Sequence, residues 1–327
     1  MYREQTGQPR ALSYEQLPSL MPAQGNSDPS TWRPDSGAWP PRTYQPHFDI
    51  TTQFPLATKN AVLLHPRRKH VADPLASKVG GKPAWPVGEE WPNCDNHQKP
   101  FVLVIQLTQN DVPELPFPMN LDLFQLLWCP DDHVATLYGP LVITRWRSST
   151  SLGSLLKSIP WIDEKFEAEY PEQVPNECAV YPERITESDP TPENIDEISA
   201  WINENAKEDL DALRVLPGYR EDAYSLFAEG PGTKVGGFPS WVQDPWEPSC
   251  ECGRDMQYLL TVSSDDVGDG FSGYRWAPSD VRRDETGLRI PDSIEGSGLC
   301  LGDAGRVYVF ICTHCESLPI SSIFQCS

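Results

Sequence analysis

The chain has 327 residues, 39% of them apolar, with eleven each of tryptophan, tyrosine and phenylalanine and a net charge of −21. That excess of acid argues against a general affinity for nucleic acid or anionic lipid, which basic patches supply. No window approaches the roughly 18 to 20 apolar residues of a membrane span. Met1-Tyr2-Arg3-Glu4-Gln5 lacks the apolar stretch of a secretory signal. The expected location is therefore the cytoplasm, where nine cysteines stay reduced and serve as metal ligands or free thiols rather than disulfides.

In chain order, residues 1–55 read as an irregular Pro-rich arm draped on the body through Trp32 and Trp39. Residues 56–150 read as a first β-rich unit. Ala61–His65 is a short apolar run with β character, and the basic cluster Arg67-Arg68-Lys69-His70 after it reads as a solvated turn or an anion contact. Gly80-Gly81 permits a tight turn at positive φ. Strands are expected over 101–107, over 121–128 ending at Cys129, and over 141–146. Residues 151–215 read as an acidic connector. Between Asp163 and Asp211 it holds sixteen acidic side chains against Lys165, Arg184 and Lys207. It also carries a helix with Thr191 as N-cap, Pro192 at the first helical position, and Ile195, Ile198 and Ile202 on one face. Residues 216–327 read as a second β-rich unit, with strands over 256–262 and 307–311 around a Gly/Asp-rich loop at 264–273.

The two units share a register. Lys78-Val79-Gly80-Gly81 recurs as Lys234-Val235-Gly236-Gly237, and the same offset of 156 joins Trp85 to Trp241, Pro92 to Pro248 and Cys94 to Cys250. This predicts an internal duplication within an α+β, β-rich fold. Each unit carries ligand-type residues at the tips of two strands. The second has Cys250-x-Cys252 before one strand and Cys312-x-x-Cys315 after another. Antiparallel pairing of those strands would gather four thiols at one end of a sheet, as in a zinc ribbon, and soft sulfur donors suit tetrahedral zinc. His314 is an alternative to one thiol. The first unit has Cys94-x-x-His97 and Cys129-x-x-x-His133 in the equivalent places, with Asp95 or Asp132 as alternative oxygen donors. The cofactor expectation is zinc, two ions, each in a closed four-ligand site.

Other chemistry is weaker. No H-E-x-x-H, G-x-S-x-G or P-loop motif is present. Gly302-Asp303-Ala304-Gly305 reads as a turn before a strand. Asp265–Gly270 resembles half a calcium loop but lacks its ligands at two positions. The Trp-rich turns (Trp85, Trp91, Trp241, Trp246) read as core plugs beneath loops. Cys129 with His133 as nucleophile and base is the rival reading of the first cluster.

On the Lys78–Gly81, Trp85-Pro86, Trp91-Pro92, Val104–Leu107 and Gly302–Gly305 motifs, the chain resembles the YwqG-like family of bacterial proteins of unknown function. It is most similar to the branch carrying Leu127-Trp128-Cys129-Pro130-x-Asp132-His133 and late cysteine pairs. The resemblance implies a duplicated, β-rich α+β fold and brings no catalytic residues. The functional expectation is a zinc-stabilised, non-enzymatic binding protein, an immunity-type candidate that neutralises a basic protein partner through its acidic surface, with no nucleic-acid or membrane partner. Its alternatives are a zinc-dependent hydrolase, with Cys94, His97 and Cys129 as ligands and His133 or Asp132 as base, and a scaffold of unspecified role.

Overall fold

The computed structural model describes residues 46–160, 168–212, 220–266, Trp276 and 296–327. Most of the expected N-terminal arm, with Trp32 and Trp39, lies outside those residues, as do 267–273 of the Gly/Asp-rich loop and parts of the acidic stretch. Twelve strands are present among the described residues: β1 (Thr58–Leu63), β2 (Arg67–Arg68), β3 (Lys78–Val79), β4 (Val102–Thr108), β5 (Leu123–His133), β6 (Gly139–Arg147), β7 (Cys178–Ala179), β8 (Glu183–Ser188), β9 (Lys234–Gly236), β10 (Gln257–Ser263), β11 (Arg306–Ile311) and β12 (Ile320–Gln325). Helices are few: α1 (Ile195–Asn205), α2 (Lys207–Ala212) and α3 (Ser225–Ala228). The protein is mostly β.

The strands form two six-stranded antiparallel sheets, ordered β2-β7-β3-β4-β5-β6 and β8-β1-β9-β10-β11-β12. One apolar core lies between them, with Val102, Val104, Leu107, Phe124, Leu126 and Trp128 from the first sheet against Val235, Val262, Val307, Val309 and Ile311 from the second. The β4–β5 and β10–β11 pairs each carry a bulge. The β4–β5 register shifts between Leu103 and Ile105, and the β10–β11 register between Tyr258 and Leu260. A bulge puts two successive side chains on one face, so Val104 with Ile105, and Leu259 with Leu260, all enter the central core. Leu103 goes to a cluster on the outer face of its sheet. Because both faces are covered, β4 is a nearly unbroken apolar run rather than an alternating one.

The Gly-Gly turns behave as expected. Gly80 and Gly81 sit at φ +62° and +67°, Gly236 and Gly237 at +68° and +76°, which residues with a Cβ rarely adopt. Gly139 of β6 faces Phe324 of β12 with no room for a Cβ, so the two sheets meet along that margin.

Five expectations need correction. The acidic stretch is more than a connector with a helix, because it supplies β7 to the first sheet and β8 to the edge of the second. Its helix starts at Ile195 with Asn194 in the cap position and no side-chain cap bond. The Thr191 amide instead turns back to Asp189 Oδ1 (3.0 Å), and the Pro192 carbonyl accepts from Ile195 (3.1 Å). Ile198 and Ile202 are buried as the periodicity required. The strand expected to stop at Cys129 runs on to His133. Finally, Arg67 of the basic cluster is buried within β2 rather than solvated. Of the Trp-rich turns, Trp85 and Trp91 are buried plugs, whereas Trp246 is exposed.

Candidate metal centres

The first centre begins with a tight loop before β4. Cys94 N–H donates to the Lys99 carbonyl (2.8 Å), Gln98 N–H to the Cys94 carbonyl (2.7 Å) and Phe101 N–H to the Pro92 carbonyl (3.0 Å). Gln98 takes φ 54° to close the loop. Across the β4–β5 pair, Val102 faces Trp128, so Cys129 arrives beside Cys94. The β5–β6 register then shifts between Cys129 and His133, and Pro130-Asp131-Asp132, set against Pro140 alone, turn His133 back onto the same spot. His133 Nε2 lies 3.2 Å from Cys94 Sγ, and His97 Nδ1 lies 3.4 Å from Cys129 Sγ and 3.7 Å from Cys94 Sγ.

The second centre is built the same way from a loop one residue shorter. Cys250 N–H donates to the Arg254 carbonyl (2.8 Å), Gly253 N–H to the Cys250 carbonyl (2.8 Å) and Met256 N–H to the Pro248 carbonyl (3.0 Å). Gly253, at φ 80°, occupies the place of Gln98. The shortening accounts for Cys-x-Cys where the first loop has Cys-x-x-His. The pairing of Gln257 with Ile311 then brings Cys312 beside the loop. Cys252 Sγ lies 3.7 Å from Cys312 Sγ, and Cys315 Sγ lies 3.9 Å from both Cys250 and Cys312.

In each group of four the donor atoms all lie within 4.8 Å of one another. The structure thus brings together Cys94, His97, Cys129 and His133 in one place and Cys250, Cys252, Cys312 and Cys315 in another, two sets that can hold a metal ion. All nine cysteines are free thiols. His314 contributes its backbone N–H to the Cys312 sulfur rather than its ring to the group.

The electrostatics of the two differ. In the first, Cys94, Cys129 and His133 are buried. Burial pushes the Cys129 thiol up to about 12 and the His133 imidazole down. A raised thiol is the reverse of what a nucleophilic cysteine requires. His133 Nδ1 has no hydrogen-bond partner among the described residues. Beside it, the buried Asp131 accepts from Lys99 Nζ (2.6 Å) and from the Glu169 amide (2.9 Å), 4.0 Å from His97 Nδ1. The hydrogen bond it donates to Asp131 holds the Lys99 ammonium above its usual range. Sequence reasoning weighed Asp95 and Asp132 and missed this pair, because only the bulge after Cys129 turns Asp131 inward. In the second centre, burial raises Cys312, but the N–H groups of His314 and Cys315 and the thiols of Cys250 and Cys252 outweigh it and bring it down to about 6. Cys315, hydrogen-bonded with the thiols of Cys252, Cys250 and Cys312, is pushed up to about 12. Four such thiols resist ionising together without a cation, which deprotonates them outright.

Each centre is flanked on the outer face of its sheet by aromatic and apolar side chains. Trp85, Trp91, Phe101 and Leu127 surround the first, and Trp241, Met256 and Phe310 the second. A polar contact recurs beside them. Gln125 Nε2 donates to the Ala84 carbonyl (2.9 Å), and the Tyr308 hydroxyl donates to the Ser240 carbonyl (2.5 Å).

No helix among the described residues is long and apolar enough to cross a membrane. Comparison with the curated proteins finds no match. A family model matches residues 77–314, which takes in both cysteine loops and every grouped donor except Cys315. The chain belongs to the family described as a domain of unknown function, DUF1963.

Proposed function

We propose that the chain is a zinc-stabilised, non-enzymatic binding protein with two closed zinc sites. The observation that carries the zinc reading is the spacing of the donors. A tetrahedral zinc with bonds of about 2.3 Å to sulfur and about 2.0–2.1 Å to nitrogen has sulfur–sulfur edges of about 3.8 Å and sulfur–nitrogen edges of about 3.5 Å. Three of the sulfur–sulfur separations here are 3.7 to 3.9 Å and three of the sulfur–nitrogen separations 3.2 to 3.7 Å, and all donors of each set lie within 4.8 Å of one another. Cys94, His97, Cys129 and His133 hold one ion, and Cys250, Cys252, Cys312 and Cys315 the other. Four protein donors leave no position for a water, so these are structural sites rather than hydrolytic ones. Structural zinc supplies on the order of 10–16 kcal/mol apparent, comparable with a domain's whole net stability of about 5–15 kcal/mol.

The same reading includes an internal duplication of a β-rich unit, over 56–150 and 216–327, joined by 151–215. Its support is the matching run β3-β4-β5-β6 and β9-β10-β11-β12, the bulge at the same place in each, and the repeated contacts of Gln125 and Tyr308. The zinc set fits the Cys/His-rich branch of the YwqG-like proteins, and reduced thiols suit a cytoplasmic location.

The binding role rests on charge. Asp196, Glu197, Glu204, Glu208 and Asp211 are exposed along α1 and α2, a surface that attracts a basic protein. Affinity capture at low salt tests it. Wild-type chain should retain a basic protein that is lost in high salt and on replacing those acids by their amides. Retention of no basic protein, or equal retention by the amide variant, contradicts it.

A further inference from the structure

The two centres differ in exposure, and this has a chemical consequence. In the first, both sulfurs are buried, and the other two donors are imidazoles, which form no disulfide. In the second, Cys252 is exposed and Cys250 and Cys315 are half-buried. The turn that carries Cys252 stands free of the body. Residues 251–255 are all exposed, and a Cβ added at Gly253 would meet nothing within 4 Å. Its sulfur lies 3.7 Å from that of Cys312.

We propose that the four-cysteine centre is a thiol-oxidation site: a hydroperoxide oxidises Cys252, Cys312 closes a disulfide onto it, and the metal leaves, while the Cys2His2 centre keeps its own. This rests on the zinc reading above. A metal-bound thiolate remains a nucleophile. The Cys252 sulfur attacks one peroxide oxygen. The S–O bond forms, the O–O bond breaks, and the departing oxygen leaves as hydroxide or alkoxide and takes up a proton. Cys252 is then a sulfenic acid. The Cys312 thiolate attacks that sulfur. The S–S bond forms, the S–O bond breaks, and hydroxide leaves, becoming water on protonation. Two thiolates have lost two electrons, the peroxide has gained them, and zinc is unchanged in oxidation state but has lost two of its four donors. Closing 3.7 Å to a bond of about 2.05 Å needs a shift of less than 2 Å, which the exposed turn can take. Cys250 and Cys315, 3.9 Å apart, form a second pair for a second equivalent of peroxide. The first centre is protected by the burial of both its sulfurs.

The test uses the full chain loaded with zinc and assayed for metal before anything is added. Hydrogen peroxide is titrated in, released zinc is read with a chromogenic chelator, and cross-linked peptides are mapped after alkylation. One of the two ions should leave, with a Cys252–Cys312 cross-link, and a thiol reductant with added zinc should restore it. Cys252→Ser should slow release about tenfold or more, since the accessible sulfur is gone. Should that variant lose its ion on purification, the wild-type cross-link map decides. Loss of both ions at one rate, a Cys94–Cys129 cross-link, or conversion of Cys252 to sulfonic acid without a disulfide overturns the inference. A chain that holds no zinc before peroxide contradicts the zinc reading as well; a chain that holds two and then behaves otherwise contradicts this inference alone.

Discussion

Lys234 Nζ lies 2.7 Å from Glu187 Oε1, and both side chains are closed off from solvent at 1% and 0% exposure. Glu187 also accepts from the amides of Gly230 (2.8 Å) and Phe238 (2.7 Å). It therefore ties the edge strand β8 to the Gly-Gly turn after β9. Breaking a buried pair strands a charge, so Lys234→Met should destabilise the fold by about 3–5 kcal/mol. A buried pair can often be replaced whole by apolar residues at little cost. Here Glu187→Leu with Lys234→Met should fail to recover stability, because two backbone amides would lose their acceptor. Urea unfolding of the single and double variants checks this. Lys78, the matching residue of the other sheet, has as its hydrogen-bond partners among the described residues the carbonyls of Lys82 (3.0 Å) and Asp73 (3.4 Å), and burial holds its ammonium below the usual range. Lys78→Met should cost less than Lys234→Met.

Part of this was written locally and part was not. The four-residue repeats, the cysteine and histidine spacings and the apolar runs at β4, β10 and β11 are short-range patterns, and they placed both donor sets. The Lys234–Glu187 pair joins residues 47 apart, and nothing near either one announces the other. Strand β8 was hidden because Glu183-Arg184-Ile185-Thr186-Glu187-Ser188 buries only alternate or terminal positions within an acidic context. β12 was hidden by its polar Ser321-Ser322. The run through Cys129 to His133 looked like a strand end, because Pro130 and two aspartates normally stop one. Only pairing with β6 on both sides of the bulge carries the strand on.

Stability should depend on pH through Glu229. Burial pushes its carboxyl up to about 7 from 4.5, and the neighbouring Glu187 adds to this against the pull of Lys234. Between those two values the folded protein holds a proton that the unfolded chain has released. Stability should therefore fall as pH rises from about 4.5 to 7, and level off above, by up to a few kcal/mol. Asp266, buried and raised to about 6, adds a decline of the same sign over a narrower window. Glu229→Gln should flatten the upper part of the profile. Denaturant midpoints taken across that range would show it, and a rise in stability from pH 4.5 to 7 in wild type, absent from the variant, would contradict the assignment.

The two cysteine loops make the same demand at one backbone position and meet it with different residues. Gly253 holds φ 80° with open space around it, so Gly253→Ala meets no steric clash. It should still cost about 1–2 kcal/mol from the left-handed conformation alone. Gln98 holds φ 54° on an exposed loop. Gln98→Gly should stabilise by up to about 1 kcal/mol, less the loss of its side-chain bond to the Asp95 carbonyl (2.6 Å). Thermal midpoints of the two variants should move in opposite directions.

Chelation separates a structural ion from a catalytic one. With closed four-donor sites, a strong chelator should abolish the near-ultraviolet signal of the tryptophans packed beside the centres and expose apolar surface, because metal binding is coupled to folding. An ion held in an open site would leave with the fold intact.

The most direct test is the zinc content of freshly purified chain, in moles per mole. The account predicts two, falling to one when Cys129 and His133, or Cys312 and Cys315, are replaced together. A value near zero, or two ions retained in either double variant, would contradict it.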